Sequence, residues 1–201
     1  MSGRLSLVDQ TKLNIEQVVV VIAGGSALEL DLLTQVFAGF GARQLKRAET
    51  AAQLSAAVMT GEVDLVVIDA AMGLEPSLEV VRALRRCTDD RRFTPVVLTS
   101  SNVSEVTIEH ARSSGVNFVV AKPVAPRVMF ERLVWIVRDK RAYFETEQYV
   151  GPDRRARPLG PPIGTDGRRS GDLSGHVGQA SEPNMSQADI DALMFPVRKS
   201  L

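Results

Sequence analysis

The sequence predicts an α/β fold, a doubly wound parallel sheet of five strands, followed by a tail. Short apolar, β-branched runs alternate with segments of helical period between residues 17 and 140, and short connections between such elements favour a parallel sheet. Residues 151–183 are instead rich in Gly, Pro, Ser, Arg and Asp, so we expect a flexible linker that cannot offset its ordering entropy. The predicted divisions are an N-terminal extension at 1–16, a domain at 17–140, an extension and basic linker at 141–184, and a short helix at 185–196.

Composition limits the possible functions. The 201 residues are 44% hydrophobic, enough for one domain plus a tail, and Lys plus Arg equals Asp plus Glu at 24 each. We therefore expect no bulk attraction to nucleic acid or to a membrane. The single Cys87 and the lack of a signal-peptide pattern indicate a reducing cytoplasm. The longest apolar stretch, residues 18–23, is far shorter than the roughly 20 residues of a membrane span.

The predicted elements follow one another with clear boundaries. Residues 18–23 form a continuous apolar run, as expected for a strand that is covered on both faces. Ser26 and Glu29 then form a capping box that opens the first helix, and Gly41 ends it. The later predicted elements are a strand at 44–48, a helix at 50–59, a strand at 65–68, a helix through Leu78, Val81 and Leu84, a strand at 96–99, a helix at 104–113, a strand at 118–121 and a helix at 126–140.

Three of these strands end on a polar residue that follows an apolar run. The residues are Asp69, Thr99 and Lys122. Because a ligand site of an open parallel sheet lies at the carboxyl ends of its strands, we expect the three side chains to share one site. A purely structural alternative is an ion pair between Asp69 and Lys122, with Thr99 as an ordinary β-branched strand residue.

Residues 17 to about 140 carry a set of matching motifs. They are Asp69, the Thr99-Ser100 pair, Lys122-Pro123 and the Gly-Val-Asn turn at residues 115–117. Together they resemble a receiver domain of bacterial two-component systems, similar to the single-domain chemotaxis response regulator. The resemblance implies a flavodoxin-like sheet of strand order 2-1-3-4-5, with Asp69 as phosphoacceptor, Thr99 as hydroxyl switch residue and Lys122 as phosphate contact. The Tyr-Val-Gly-Pro-Asp-Arg-Arg segment at 149–155 further resembles an alphaproteobacterial subgroup with a Gly-Pro-Asp-Arg-Arg extension.

The chain departs from that family at the residues that matter for phosphorylation. Gly24 and Gly25 stand where the family has two acids that hold Mg²⁺. A hard cation needs oxygen ligands, and it neutralises charge as a phosphoryl group approaches a carboxylate. Gly73 also replaces a proline, and Val119 occupies the position of the aromatic switch residue. We therefore predict a lost Mg²⁺ site, no other cofactor, no enzymatic activity and slow or absent phosphorylation of Asp69.

Two alternatives to this phosphorylation-impaired interaction module start from the same residues. The first is a conventional response regulator that a histidine kinase phosphorylates on Asp69. The second treats the glycine pair, between a strand and a helix start, as a cradle for a nucleotide phosphate. The spacing of a dinucleotide fingerprint is absent, however, because Leu28 lies where a third glycine is expected.

Residues 185–196 contain a second motif, a short helix with both ends specified. Ser186 is a good N-cap, Asp189 lies where it can reach back to that cap, and Pro196 blocks continuation. A helix this short is unstable alone, so we expect it to fold when it docks. Its apolar stripe consists of Ile190, Leu193 and Met194.

The same segment resembles the N-terminal peptide of the flagellar motor switch protein, which binds the chemotaxis regulator. The resemblance implies a role in chemotaxis or motility, with other signalling or flagellar proteins as partners. We predict helix-in-groove docking, either onto another receiver domain or back onto this one. The plainer alternative is a terminal helix that only packs on its own domain.

Two further features bear on partners. Trp135 falls off the predicted buried stripe of the last helix and is a candidate interface anchor, with a contact to Tyr143 or Phe144 as the alternative. The linker is locally basic and suits an acidic partner or a cyclic dinucleotide, which gives an adaptor responsive to that ligand as another candidate function. Its arginines are Arg154, Arg155, Arg157, Arg168 and Arg169.

Overall fold

Five parallel strands form the central sheet, as the sequence predicts. The computed structural model describes residues 6–9, 12–138, 143–145, 150–152 and 185–195. The sheet strands are β3 (Val19–Ala23), β4 (Gln44–Ala48), β5 (Leu65–Asp69), β6 (Val96–Ser100) and β7 (Phe118–Ala121). They lie in the order β4-β3-β5-β6-β7. Counted within this sheet, the order is the 2-1-3-4-5 that the resemblance implies.

The sheet strands are connected by helices, and a further helix lies near the C-terminus. Where the sequence predicted both ends of a helix, the observed ends agree to within about two residues. The helices are α1 (Ala27–Gly39), α2 (Ala51–Thr60), α3 (Leu74–Arg85), α4 (Glu105–Ser113), α5 (Pro126–Arg138) and α6 (Gln187–Met194). Two 3-10 turns lie at Ala70–Met72 and Asp90–Phe93. The capping box is present at α1, where the Glu29 N–H donates to Ser26 Oγ at 3.3 Å.

Two short antiparallel ladders lie in regions for which the sequence predicts no strands. In the N-terminal extension, β1 (Ser6–Asp9) pairs with β2 (Lys12–Asn14). In the segment predicted as extension and linker, β8 (Tyr143–Glu145) pairs with β9 (Val150–Pro152). The linker arginines lie outside the described residues.

The hydrophobic core lies on both faces of the sheet. Every residue of β5 and β6 is buried, which explains why these strands read as continuous apolar runs. The apolar stripe of α5 predicted from the sequence is centred on Met129 and Leu133, which are fully buried. Arg132 and Val134 of α5 are buried as well, so this helix is enclosed on more than the predicted face.

Candidate functional site

The structure brings Asp69 and Lys122 into direct contact at the carboxyl edge of the sheet. Asp69 ends β5, Thr99 pairs with it in register on β6, and Lys122 follows β7. Asp69 is only 1% exposed, and its Oδ2 forms an ion pair with Lys122 Nζ. Thr99 is also buried, and its hydroxyl donates to the Ile68 carbonyl oxygen at 3.5 Å. Parallel register thus places all three predicted residues at one edge.

The second oxygen of Asp69 organises the turn that follows β5. Asp69 Oδ1 accepts a hydrogen bond of 2.9 Å from the Ala71 N–H and so caps the 3-10 turn at Ala70–Met72. Gly73 closes that turn with φ of 113°, in a region that L side chains avoid. A proline is locked near φ of about −65°. The departure of this chain from the family pattern at Gly73 therefore fits its backbone conformation.

Glu29 completes the site, and the sequence reasoning did not assign it there. Its Oε1 lies 2.5 Å from Lys122 Nζ, while Ser26 Oγ donates to its Oε2 at 3.1 Å. The capping role that the sequence predicted for Glu29 is real, but the same side chain also reaches the strand ends. An acid in the first turn of a helix that starts at the carboxyl edge of the sheet was the available signal. We call Asp69, Thr99, Lys122 and Glu29 the carboxyl-edge site.

Lys122 lies between two carboxylates, and this sets the electrostatics of the site. The hydrogen bond from Lys122 lowers the pKa of Glu29 although partial burial opposes it. Burial by itself lowers the pKa of Lys122, but the hydrogen bonds to Asp69 and Glu29 outweigh burial and the pKa is raised. Lys122 therefore remains a cation throughout the physiological pH range.

The two glycines pack closely against this site. A Cβ added to Gly24 would lie 3.4 Å from Leu30 side-chain atoms and 3.6 Å from the Asp69 Cβ. A Cβ added to Gly25 would lie 3.0 Å from the Ala71 carbonyl oxygen, closer than ordinary van der Waals contact. The loop between β3 and α1 is therefore in close contact with the turn after Asp69, most closely at Gly25.

The donor set can be compared with what Mg²⁺ needs. This cation is held by several oxygen ligands in octahedral geometry, whereas Gly24 and Gly25 offer only backbone. Within the described part of the chain, no three His, Cys, Asp or Glu side chains cluster in a way that could hold a metal ion. The carboxylates of Asp69 and Glu29 are both paired with Lys122. These residues do not fit the side-chain magnesium site that the family resemblance implies.

The C-terminal helix packs onto this same domain, beside the outermost strand β7. Gln187 Nε2 donates to the Val119 carbonyl oxygen at 2.9 Å, and the Ala121 N–H donates to Gln187 Oε1 at 3.1 Å. Arg132 of α5 forms an ion pair of 2.6 Å with Asp191. The structure thus shows α6 packed on its own domain, which agrees with docking back onto this domain and equally with the plainer alternative of a terminal helix that only packs there.

The predicted N-terminal capping and stripe of α6 are found with one addition, and Pro196, predicted to end the helix, lies outside the described residues. Ser186 Oγ donates to Asp189 Oδ2 at 2.6 Å, and the Asp189 N–H donates back to Ser186 Oγ at 3.3 Å. Ile190 and Met194 are buried, whereas Leu193 is half-buried. Phe195, which the sequence analysis did not include in the stripe, is buried with its ring centroid 5.6 Å from that of Phe118. Whether these residues bind a separate partner stays a prediction.

Trp135 lies beside the residues that α6 contacts. The side chain is half-buried, with its ring centroid 5.7 Å from that of Phe118. The guanidinium of Arg132 stacks over the indole at 4.4 Å. The side chains of Tyr143 and Phe144, the alternative contacts predicted for Trp135, lie outside the described residues. Trp135 thus adjoins the α6 contact through Phe118 and Arg132.

The helices of the described ranges can also be tested for membrane insertion. None of them combines the length and the apolar character needed to cross a bilayer.

Comparison with known proteins identifies the family. The profile of the response regulator receiver domain matches residues 20–134. Among solved structures, the chemotaxis protein CheY4 of Vibrio cholerae is similar with a TM-score of 0.53 at 18% identity, over 59% of this chain and 98% of that chain. A CheY-like receiver protein of Methanospirillum hungatei gives a TM-score of 0.54 at 17% identity, over 60% of this chain and 94% of that one.

A signal receiver domain from Clostridium thermocellum is similar in the same way, with a TM-score of 0.52 at 19% identity over 60% of this chain and 96% of that chain. At these identities the structural matches establish the fold. Comparison with curated proteins finds no match. The family profile nevertheless covers more than half of the chain. The chain therefore belongs to the response regulator receiver domain family, the signalling modules of two-component systems.

Proposed function

We propose that this receiver domain works as a phosphorylation-impaired protein-interaction module, in chemotaxis or motility. The observation that carries the proposal is the carboxyl-edge site, in which Lys122 is held by both Asp69 and Glu29 while Gly24 and Gly25 replace two acids. Receiver domains interact with histidine kinases and other signalling proteins. Here the interaction, rather than a phosphorylation cycle, carries the signal.

The charge balance supports impaired phosphorylation. One lysine faces two carboxylates, so the site already carries a net negative charge before an anionic phosphoryl donor arrives. Transfer to a carboxylate depends on electrostatic stabilisation of the phosphoryl oxygens, which a divalent cation supplies in phosphoryl-transfer sites. Lys122 is also shared, because Glu29 competes with Asp69 for the same ammonium.

The experiment compares phosphorylation of the full chain with that of a variant in which both acids are restored. The wild type and Gly24→Asp/Gly25→Asp are incubated with acetyl phosphate and Mg²⁺, and the phosphorylated fraction is measured by intact-protein mass spectrometry. We expect little modification of the wild type and a gain in the double variant. Asp69→Asn in each background is the control for the modified residue. Stoichiometric phosphorylation of wild-type Asp69 would overturn the proposal.

A second candidate function is a conventional regulator that cycles on Asp69. It is favoured by one observation, since Asp69, Thr99 and Lys122 are all present and share the carboxyl edge of the sheet. The same experiment separates the two functions, because a conventional regulator is modified without the restored acids.

The link to motility rests on the C-terminal segment and its resemblance to a flagellar peptide. The capped helix and the buried positions Ile190 and Met194 support a segment built to dock in a groove. Its test is a pull-down from a flagellated host with the full chain and with Ile190→Asp. Recovery of signalling or flagellar proteins that changes between the two baits supports the link, and identical sets without such proteins count against it.

A further inference from the structure

The outer edge of β7 is where α6 makes its most specific contact. An outermost strand leaves backbone donors and acceptors available along its open edge. The amide of Gln187 binds two of them at once, the Val119 carbonyl oxygen at 2.9 Å and the Ala121 N–H at 3.1 Å. A side-chain amide that supplies both a donor and an acceptor in this way imitates one residue of a neighbouring strand. A side chain at this position therefore needs both a hydrogen-bond donor and an acceptor, as the amide of Gln187 has.

A buried charge pair provides the second determinant. Arg132 is 3% exposed, and Asp191 of α6 supplies its carboxylate partner at 2.6 Å. Gln187 Nε2 also donates to Asp191 Oδ1 at 3.0 Å, so the two polar determinants, four residues apart on one helix face, support each other. Removing one member of a buried pair leaves an uncompensated charge. While α6 is docked, the carboxylate that pairs with Arg132 is therefore the one that Asp191 supplies.

The fit of α6 is nevertheless incomplete. Among the described residues, Arg132 Nε and Trp135 Nε1 are buried donors with no hydrogen-bond acceptor. Both side chains belong to the α5 face beside α6, and the guanidinium stacks directly over the indole. Unpaired buried donors weaken the docked state relative to an occupant that supplies acceptors. This leaves room for a second helix to bind the same surface more tightly than α6.

We propose that α6 is an intramolecular ligand that covers an interaction surface formed by α4, β7 and α5. On the α4 side, the Arg112 guanidinium donates to the Leu193 carbonyl oxygen at 3.0 Å. The surface accepts a partner helix with Gln and Asp four residues apart, an apolar stripe and an acceptor for Trp135, and it becomes available only when α6 leaves. This inference rests on the proposed function as an interaction module and adds the partner chemistry and the regulation. Because α6 belongs to the same chain as the surface, it competes for that surface at an effective concentration of roughly millimolar order. Weak partners are thereby excluded.

The test measures access to this surface in the full-length protein. A fluorescent peptide of residues 183–197 serves as the probe helix and is titrated by anisotropy against the wild type, Gln187→Ala and Asp191→Ala. Ala192→Gln, at an exposed position of α6, is the matched control. We expect the two weakened variants to bind the peptide at least tenfold more tightly than the wild type and the control. Equal affinity for all four proteins would overturn the proposal.

Two further measurements exclude trivial outcomes. Hydrogen exchange of the Ala121 amide reports the hydrogen bond to Gln187 directly, and it should be at least tenfold faster in Gln187→Ala than in the wild type or Ala192→Gln. An unchanged exchange rate contradicts the contact between Gln187 and β7. Arg132→Met added to Asp191→Ala should remove the tight peptide binding, with circular dichroism as the check on folding, and retained tight binding contradicts the role of the charge pair.

These outcomes are independent of phosphorylation. A phosphorylated Asp69 together with a covered surface defeats the proposed function and leaves the intramolecular ligand in place. An unmodified Asp69 together with equal peptide affinity in every variant leaves the proposed function in place and defeats the intramolecular ligand.

Discussion

Lys122 is a partly buried cation and Arg132 a buried one, and their carboxylate partners come from different parts of the chain. Lys122 is held by Asp69 and Glu29, two carboxylates of its own domain. Arg132 depends for its carboxylate on Asp191, which reaches it from the far end of the tail. The first arrangement persists as long as the domain is folded, whereas the second can open without unfolding it. The comparison separates a charge fixed by the fold from a charge that reports whether α6 is docked.

Arg85 shows what a permanently buried cation looks like in this domain. Its guanidinium donates to the carbonyl oxygens of Gly115 and Thr94, at 2.9 Å and 2.7 Å, and to Asn117 Oδ1 at 3.0 Å. All of these acceptors lie within the sheet domain. Arg132, in contrast, keeps a buried Nε without an acceptor. Arg85 thus finds its hydrogen-bond acceptors within the sheet domain, whereas Arg132 takes its carboxylate partner from α6.

The largest expected effect on stability comes from removing one member of the ion pair Lys122–Asp69, compared with removing one member of the ion pair Arg132–Asp191. Lys122→Met strands the carboxylate of Asp69, which is 1% exposed, and should lower the free energy of unfolding by about 3–5 kcal/mol. Asp191→Ala should cost only about 1–2 kcal/mol, because α6 can detach and let water reach Arg132. Urea unfolding of both variants measures the difference.

The control for that prediction is Asp69→Asn/Lys122→Met, which removes both charges and should recover much of the lost stability. Equal losses for Lys122→Met and Asp191→Ala would mean that the two cations are equally integral to the fold.

An intermediate effect is expected at the glycine pair that borders Lys122 and Asp69. Gly25→Asp places a Cβ 3.0 Å from the Ala71 carbonyl oxygen, while the nearest neighbour for Gly24→Asp lies at 3.4 Å. Overpacking against backbone should cost Gly25→Asp about 1–2 kcal/mol, and Gly24→Asp less. Thermal unfolding of the two single variants ranks them. If Gly24→Asp is the more destabilising, the loop does not close over the turn after Asp69 as the structure describes.

The smallest effect is a pH dependence at Glu29. Lys122 lowers the pKa of Glu29 from its ordinary value of 4.5, so the ionised form stabilises the folded state above that pH. The contribution is lost as the pH falls through the lowered pKa of the folded state. Glu29→Gln should therefore cost less than about 1 kcal/mol near neutral pH, and nothing once wild-type Glu29 is protonated. Melting temperatures of both proteins across the acid range should converge. A gap that widens on acidification would contradict the Lys122–Glu29 pair.

Most of the architecture could be predicted from local patterns. The apolar runs of β3 and β5, the Ser26 and Ser186 caps and the polar strand ends at Asp69 and Lys122 are all written in short stretches of sequence. Two outcomes could not be predicted this way. A capping acid that also reaches Lys122, and a fully buried Arg85 on α3, depend on elements that are distant in sequence.

The sequence by itself determined the element order, the parallel sheet and the capped terminal helix, because periodicity, caps and apolar runs act over a few residues. It also showed that Gly24 and Gly25 lack carboxylates. Only the tertiary structure decided that Glu29 joins Asp69 at Lys122, and that Gln187 and Asp191 dock α6 on β7 and Arg132. These contacts join residues 59 or more positions apart, and a local pattern carries no record of which distant group will meet it.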